Sequence, residues 1–222
     1  MELYEVMRTT FAAREYTGET LSDEVLYEIL ENARFAPSGG NRQGNHVIVV
    51  RENETRNALI KLLEPAAKRY HAQVKAGESP WNTISPTKVT SEDIKNAQAP
   101  ARLMEPYRTA SVLLVITVDL RVVASTDQYL DRVGIISGAS IYPFAWNILL
   151  AARHAGFGGT ITTLAAAEEP HVQKLLNIPS ECAVSAVLPL GKPVKQLTKL
   201  KRLSVEEIAT CEQFDGTRFT KP

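Results

Sequence analysis

Apolar positions recur along this chain with two periods, and the places where one gives way to the other divide it into elements. Leu3, Val6, Met7 and Thr10 keep a helical period until Arg14-Glu15-Tyr16-Thr17-Gly18 breaks it with a glycine. Ser22 then stands where a helix N-cap belongs, and Asp23 and Glu24 suit the positive end of a helix dipole. Val25, Leu26, Ile29, Leu30 and Ala33 share one face until Pro37 stops the helix. Residues 47–50 and 111–118 read as β-strands, the second apolar almost without alternation, as befits a strand covered on both faces. Residues 183–188 form a third. Helical patterns lie over 54–68, with Pro65 near the end, over 134–155, and over 168–176, with Pro170 in the first turn. Strands flanked by helices predict a layered α+β or α/β domain.

Two stretches depart from amphipathic patterning. Ile135, Ile136, Ala139, Ile141, Phe144, Ala145, Trp146, Ile148, Leu149, Leu150, Ala151 and Ala152 leave almost no polar face, so this helix is expected to be buried all round. In a chain of this size, that points to core on one side and a second subunit on the other, the alternative being a central helix buried within one chain. Ser137, Ser140, Pro143, Asn147 and Arg153 argue against a membrane span. From 70 to 107 the composition turns to Gly, Pro, Ser, Thr and charge, with Trp81 stranded among polar residues. A connection this long is either a lid over a site or a disordered surface insertion. The tail from 210 to 222 has too little apolar content for a core of its own.

Composition narrows the function. The 222 residues suffice for one large domain, and 25 basic against 25 acidic side chains leave no net field to attract nucleic acid or an anionic membrane. Any anion site must therefore be local and the partner small. Cys182 and Cys211 read as structural or incidental. The start Met1-Glu2-Leu3-Tyr4-Glu5 lacks a signal-peptide layout, which makes a reducing cytoplasm the expectation. His46, His71, His154 and His171 offer neither paired metal spacing nor a nucleophile pattern, so zinc, iron and hydrolytic chemistry find no support. Glu168-Glu169 before Pro170 reads as first-turn dipole stabilisation.

Three segments could hold a ligand. In Phe35-Ala36-Pro37-Ser38-Gly39-Gly40-Asn41-Arg42-Gln43, small residues permit close backbone approach while Ser38, Asn41, Arg42 and Gln43 converge donors and acceptors. In Gly156-Phe157-Gly158-Gly159-Thr160-Ile161-Thr162-Thr163, a helix C-cap explains Gly156 but not the later glycines. Lys199, Lys201 and Arg202 form either a solvated charge run or a phosphate clamp. Neither glycine stretch fits a dinucleotide fingerprint or a P-loop.

The order of these motifs resembles the FMN-dependent nitroreductase family. The resemblance rests on Arg14-Glu15-Tyr16, on Ala36-Pro37-Ser38-Gly39-Gly40-Asn41-Arg42-Gln43 before a strand, and on Ala151-Ala152-Arg153-His154-Ala155-Gly156-Phe157-Gly158. Pro189-Leu190-Gly191-Lys192-Pro193 followed by Lys201-Arg202 completes it, over roughly residues 1–208. It implies one α+β domain over 1–208, with 70–107 as lid or insertion and 209–222 as a tail. The fold would be a three-layer, nitroreductase-like one, a central mixed β-sheet flanked by helices, in a homodimer with FMN at the subunit interface. By position, Arg14 and Arg202, helped by Lys201, look like ligands of the FMN phosphate. Pro37, Ser38, Gly39, Asn41 and Gln43 look like contacts to ribityl and ring contributed across the dimer, and Gly158, Gly159, Thr160 and Thr162 correspond to the segment beside the flavin. This chain differs from the family in having Thr10, Phe11 and Ala12 where an Arg and a Ser are usual, and Gly44-Asn45 where Pro-Trp is common.

The activity so implied is ping-pong hydride transfer from NADH or NADPH through FMN to an electron-poor acceptor such as a nitroaromatic or quinone. It needs no dedicated catalytic side chain and no metal. A flavin-binding protein with little turnover, and a reductive dehalogenase or flavin-fragmenting branch, are the alternatives.

Overall fold

The computed structural model describes residues 1–221. Four strands form one sheet in the order β1-β2-β4-β3: β1 is Asn45–Val50, β2 Val112–Asp119, β3 Gly158–Gly159 and β4 Cys182–Gly191. Every ladder is antiparallel, and a parallel contact enters only at the isolated bridge between Ala12 and Gly159. The three expected strands are all present: β1 and β4 extend past the expected 47–50 and 183–188, and β2 is displaced by one residue from the expected 111–118. The unforeseen β3 is two glycines, whose low strand propensity hides them in sequence.

The centre of the sheet explains the layering. Residues 112–118 of β2 are all buried. Val112, Leu114 and Ile116 face a core shared with α2 (Asp23–Ala33) and α6 (Tyr142–His154). Leu113 and Val115 face a second core with α3 (Asn53–Lys75), α5 (Ala101–Thr109) and α7 (Glu169–Leu176). Helices thus cover both faces, giving the three layers of an α+β fold. A bulge opposite Ile116 and Thr117 gives β4 one extra residue, Ser185, whose hydroxyl donates to the Ile116 carbonyl at 2.9 Å.

Local chemistry sets the helix bounds. Ser22 caps α2 by accepting from the Val25 N–H, as its sequence position predicts. α3 runs seven residues past the expected end at 68, with Pro65 in its interior rather than near its end. Leu59, Leu63, Ala66, Ala67 and Ala72 bury the helix on both sides of the proline, and that packing outweighs a local cost of about 3 kcal/mol.

The expected helix over 134–155 is shorter. A 3-10 turn, Ile136–Ser140, precedes α6, and Pro143 sits in its first turn. Ala145, Ile148, Leu149 and Ala152 are buried, whereas Tyr142 and Trp146 remain 41% exposed. Burial on every side is thus not achieved within one chain. Leu3, Tyr4 and Met7 of α1 (Leu3–Thr9) and Tyr27 of α2 are also exposed.

The 70–107 stretch contains the end of α3, the helix α4 (Ser91–Asn96) with a Thr90–Asp93 capping box, and the start of α5. Glu78 ties its middle, accepting from Thr87 Oγ1 and Lys88 N–H at 2.6 Å each and from Gln73 Nε2 at 3.3 Å. These hydrogen bonds hold its carboxyl below the usual range. The far end of the excursion is tied to Arg56 near the start of α3, a buried guanidinium that donates to the carbonyls of Ala110 at 2.6 Å, Arg108 at 3.3 Å, and Tyr107 and Ser111 at 3.4 Å. After β4 comes α8 (Val205–Ile208), capped by the Ser204–Glu207 box, and then a tail with Phe214 fully exposed. No helix among the described residues is long and apolar enough to cross a membrane.

Candidate active site

The site begins at the edge formed by β3. Gly159 is fixed from two sides: its carbonyl accepts from the Ala13 N–H at 2.9 Å, and β3 pairs with Leu190 and Gly191 of β4. A Cβ at Gly159 would lie 2.4 Å from the Pro189 carbonyl oxygen and 2.5 Å from Leu190 Cδ2, and one at Gly158 would meet Pro193 Cγ at 3.0 Å. Gly159 is therefore required by the fold's own packing, and Gly158 sits in tight contact with Pro193. Beyond them, Thr162 exchanges both backbone hydrogen bonds with Val187, at 3.0 and 2.8 Å.

Arg14 reaches the same region from the segment after α1. Tyr16 anchors that segment, donating its hydroxyl toward the Ala13 and Pro189 carbonyls at 2.9 and 3.0 Å while its ring packs on Gly191. Burial raises the Tyr16 pKa and keeps the phenol protonated. Arg14 donates to the Ala12 carbonyl at 3.2 Å.

Arg14 and residues 160–163 form one wall of a cavity of about 620 Å³; the opposite wall comes from the 70–107 stretch, through Tyr70, Trp81, Arg102, Leu103 and Pro106. Volume and mixed apolar and polar lining match a small-molecule site. Below the first wall, the fully buried Tyr107 is hydrogen-bonded to Thr162 through their hydroxyls. Either hydroxyl can donate in this pair, and burial raises the Tyr107 pKa and keeps the phenol protonated.

Trp81 is held in αL geometry, with φ 57°. Its N–H donates to Gln73 Oε1 at 3.2 Å, and the Arg69 guanidinium lies 4.4 Å from its ring. Its isolation among polar residues was the sequence signal for this wall. Tyr70, Arg102 and Tyr107 carried none that periodicity could read.

The 37–43 loop lies elsewhere, beside the 3-10 turn before α6. Ser38 Oγ accepts from the Gln43 N–H and Ser140 Oγ from the Gly39 N–H, each at 2.9 Å. Gly40, Asn41 and Gln43 all have positive φ, at 62°, 53° and 51°. Two non-glycine residues in the left-handed region within three positions mark stored strain of a kind that clusters at functional sites. Gly44 follows because a Cβ there would lie 2.5 Å from Val122 Cγ2. The expected contacts Pro37, Ser38, Gly39, Asn41 and Gln43 do not line the 620 Å³ cavity.

Arg202 and Arg14 line different cavities. Arg202, with Arg8, Thr10, Trp146 and Lys199, surrounds a basic hollow of about 730 Å³; Lys201 contributes to Arg202 only its carbonyl, which accepts from Nη1 at 2.8 Å. Thr10 directs its hydroxyl to the Val6 carbonyl at 2.7 Å, and Ala12 has none, so neither offers a hydroxyl there. Arg8 brings a further cation from the last turn of α1.

A three-layer α+β scaffold carries a cavity walled by residues 160–163, just past β3, and by the 70–107 excursion, while Gly158 and Gly159 themselves lie behind that wall and do not line it. The sequence profile of the nitroreductase family matches residues 7–192, and the chain belongs to that family. It is similar to human iodotyrosine deiodinase 1, 25% identical over 209 residues that cover 93% of this chain and 67% of the relative, about two thirds of that longer protein. Among solved structures, an oxidised iodotyrosine deiodinase bound to FMN and 3-iodo-L-tyrosine matches with a TM-score of 0.67 at 21% identity, over 96% of this chain and 100% of the other. The NADPH:FMN oxidoreductase of Vibrio harveyi in complex with NAD+ matches with a TM-score of 0.67 at 19% identity, over 97% of this chain and 79% of the other. At these identities the structural likeness establishes the fold.

Proposed function

We propose that this chain is an FMN-dependent oxidoreductase that takes hydride from NAD(P)H and delivers it to an electron-poor small molecule, working as a homodimer. The observation that carries the reading is the cavity wall of Arg14, Thr160 and Thr162, built on the sheet and facing aromatic side chains across a space of ligand size. FMN, when bound, would supply the two-electron carrier between the nicotinamide and an acceptor such as a quinone, whose added proton would come from water.

The residues present fit that group. Arg14 supplies a permanent cation at the wall and Thr162 a hydroxyl paired with Tyr107. Gly158 and Gly159 hold the wall at the depth fixed by β4. Arg8, Lys199 and Arg202, with Lys201 beside them, are the cations placed to hold a phosphate, with Arg8 taking over from the family cation absent at Thr10. Pro37, Ser38, Gly39, Asn41 and Gln43 would reach the flavin from a second copy, which explains why their loop is strained yet turned away from its own chain's cavity. The apolar exposure of Tyr142, Trp146, Leu3 and Met7 supports the same assembly. The excursion over 70–107 acts as the lid, excluding water and positioning the acceptor.

Reductive dehalogenation is the second reading, favoured by the similarity to human iodotyrosine deiodinase 1 and to the deiodinase structure that holds 3-iodo-L-tyrosine beside FMN. The decisive measurement is the absorption spectrum of purified protein before and after anaerobic NADH and NADPH. Yellow protein bleached by either nicotinamide supports the oxidoreductase. Colourless protein that takes up no FMN overturns it, and tight FMN without reduction by either nicotinamide favours a binding protein.

A further inference from the structure

The charge on the cavity goes one way. Its lining holds two cations, Arg14 and Arg102, and no Asp or Glu. Several carboxylates on the flanking segments are engaged, Glu78 by Thr87 and Lys88, Glu105 by Arg108 at 3.0 Å, Glu168 beside His171 at 3.4 Å, and Glu169 by the Val184 N–H at 2.6 Å, while the exposed Glu15 does not line the cavity. Arg102, in contrast, makes no hydrogen bond or ion pair among the described residues. It stands in the first turn of α5, where the helix dipole adds to its charge. Tyr70 and Trp81 lie on the same wall, with the indole braced by Arg69.

Resting on the flavin reading, which gives Arg14 to the cofactor, we infer that the cavity selects an aromatic acceptor bearing a carboxylate or similar anion and no ammonium group, and that Arg102 is the residue that reads its charge. A planar ring fits between the flavin wall and Trp81, and a guanidinium pairs a carboxylate with two parallel hydrogen bonds. An amino acid is disfavoured. Its ammonium would enter a site with two cations and no free carboxylate, losing water without gaining a partner. The chain therefore shares a scaffold with iodotyrosine deiodinases while its cavity rejects the amino-acid half of 3-iodo-L-tyrosine.

One ring carried on three charge types tests this. Binding of 3-(4-hydroxy-3-iodophenyl)propanoate (anion), 3-iodo-L-tyrosine (zwitterion) and 3-iodotyramine (cation) is titrated on FMN-loaded protein by flavin fluorescence. The same series is read on the Trp146→Phe background by emission of Trp81, the only tryptophan then left. The anion should bind about tenfold tighter than the zwitterion and tighter still than the cation, with the preference shrinking as salt rises. Arg102→Gln should abolish the preference and Arg102→Lys restore part of it, with unchanged urea midpoints showing that both variants fold. Equal or tighter binding of iodotyrosine, or a preference that survives Arg102→Gln, overturns the inference. Failure to bind FMN removes the flavin reading instead, and Trp81 emission still reports the charge preference of the cavity.

Discussion

Residues 160–163 and residues 37–43 are both assigned to one flavin, and they are held by opposite means. The first segment is sewn into the sheet by the backbone pair of Thr162 with Val187 of β4, beyond a Gly159 that admits no side chain. The second is an exposed turn held by two serine hydroxyls against left-handed backbone at Asn41 and Gln43. In the proposed dimer, the wall a subunit would keep for itself is part of its folding core, whereas the part it would offer to a neighbour is shaped by local bonds and strain. Damage to the first should therefore appear as lost stability and damage to the second as lost binding.

Gly159→Ala should have the largest effect. Its new Cβ meets a backbone oxygen that cannot move without breaking the β3–β4 ladder, so we expect a loss of about 3 kcal/mol, read as the urea midpoint. A change below about 0.5 kcal/mol would separate this wall from the core and end the contrast. Next is Tyr107→Phe, which removes the hydroxyl partner of Thr162 from a fully buried site. About 1 kcal/mol of stability should go, together with a shift in the flavin absorption bands caused by the reoriented threonine hydroxyl. Unmoved bands would mean that Thr162 does not face the flavin.

On the other side, Ser38→Ala takes away the acceptor of the Gln43 N–H and should weaken FMN binding several-fold while the exposed turn leaves stability within about 0.5 kcal/mol. Asn41→Gly relieves a left-handed residue, so stability should hold or rise by a few tenths of a kcal/mol, roughly, while FMN affinity falls with the loosened turn. Either variant unfolding the protein would contradict the division.

The smallest effect concerns acid. Asp127 accepts from the Ile135 N–H and Arg132 Nη1 at 2.7 Å each and from Ser125 Oγ at 3.0 Å, and these bonds, the Ile135 one foremost, depress its pKa. A depressed carboxylate contributes stability that is complete above its unfolded pKa, about 3.9, and drains as pH falls through the lower folded value. Asp127→Asn should thus flatten the acid limb of a stability–pH curve below about pH 4 without altering its shape near neutrality. An unchanged acid limb would show that the 125–136 segment bears no such linkage.

Much of the scaffold could be read from sequence because its signals are local. The Ser22 cap, the unbroken apolar run of β2 and the strand at 183–188 each declare themselves within a few residues. α3 outran its expected end because burial of Ala66, Ala67 and Ala72 is tertiary and overrides Pro65. α5 was concealed in the polar stretch, where Pro100, Pro106, Arg102 and Arg108 masked the face of Leu103, Met104 and Tyr107. Within the site, Arg14, Thr160 and Thr162 do meet on one cavity. Tyr70, Trp81 and Arg102 join them only through the path of the excursion, which no spacing encodes.

Arg56 gives that excursion a further property. One guanidinium near the start of α3 ties up four carbonyls at and just after the end of α5, closing the buried part of α3 and the excursion into one loop. Closing a longer loop costs little once its ends are joined, roughly 0.6 kcal/mol per doubling of length. The mostly exposed stretch of that loop beyond α3, from 77 to 98, behaves as a cassette: its length and lining can change across evolution, or in the laboratory, while the sheet and the cavity wall at 160–163 stay as they are.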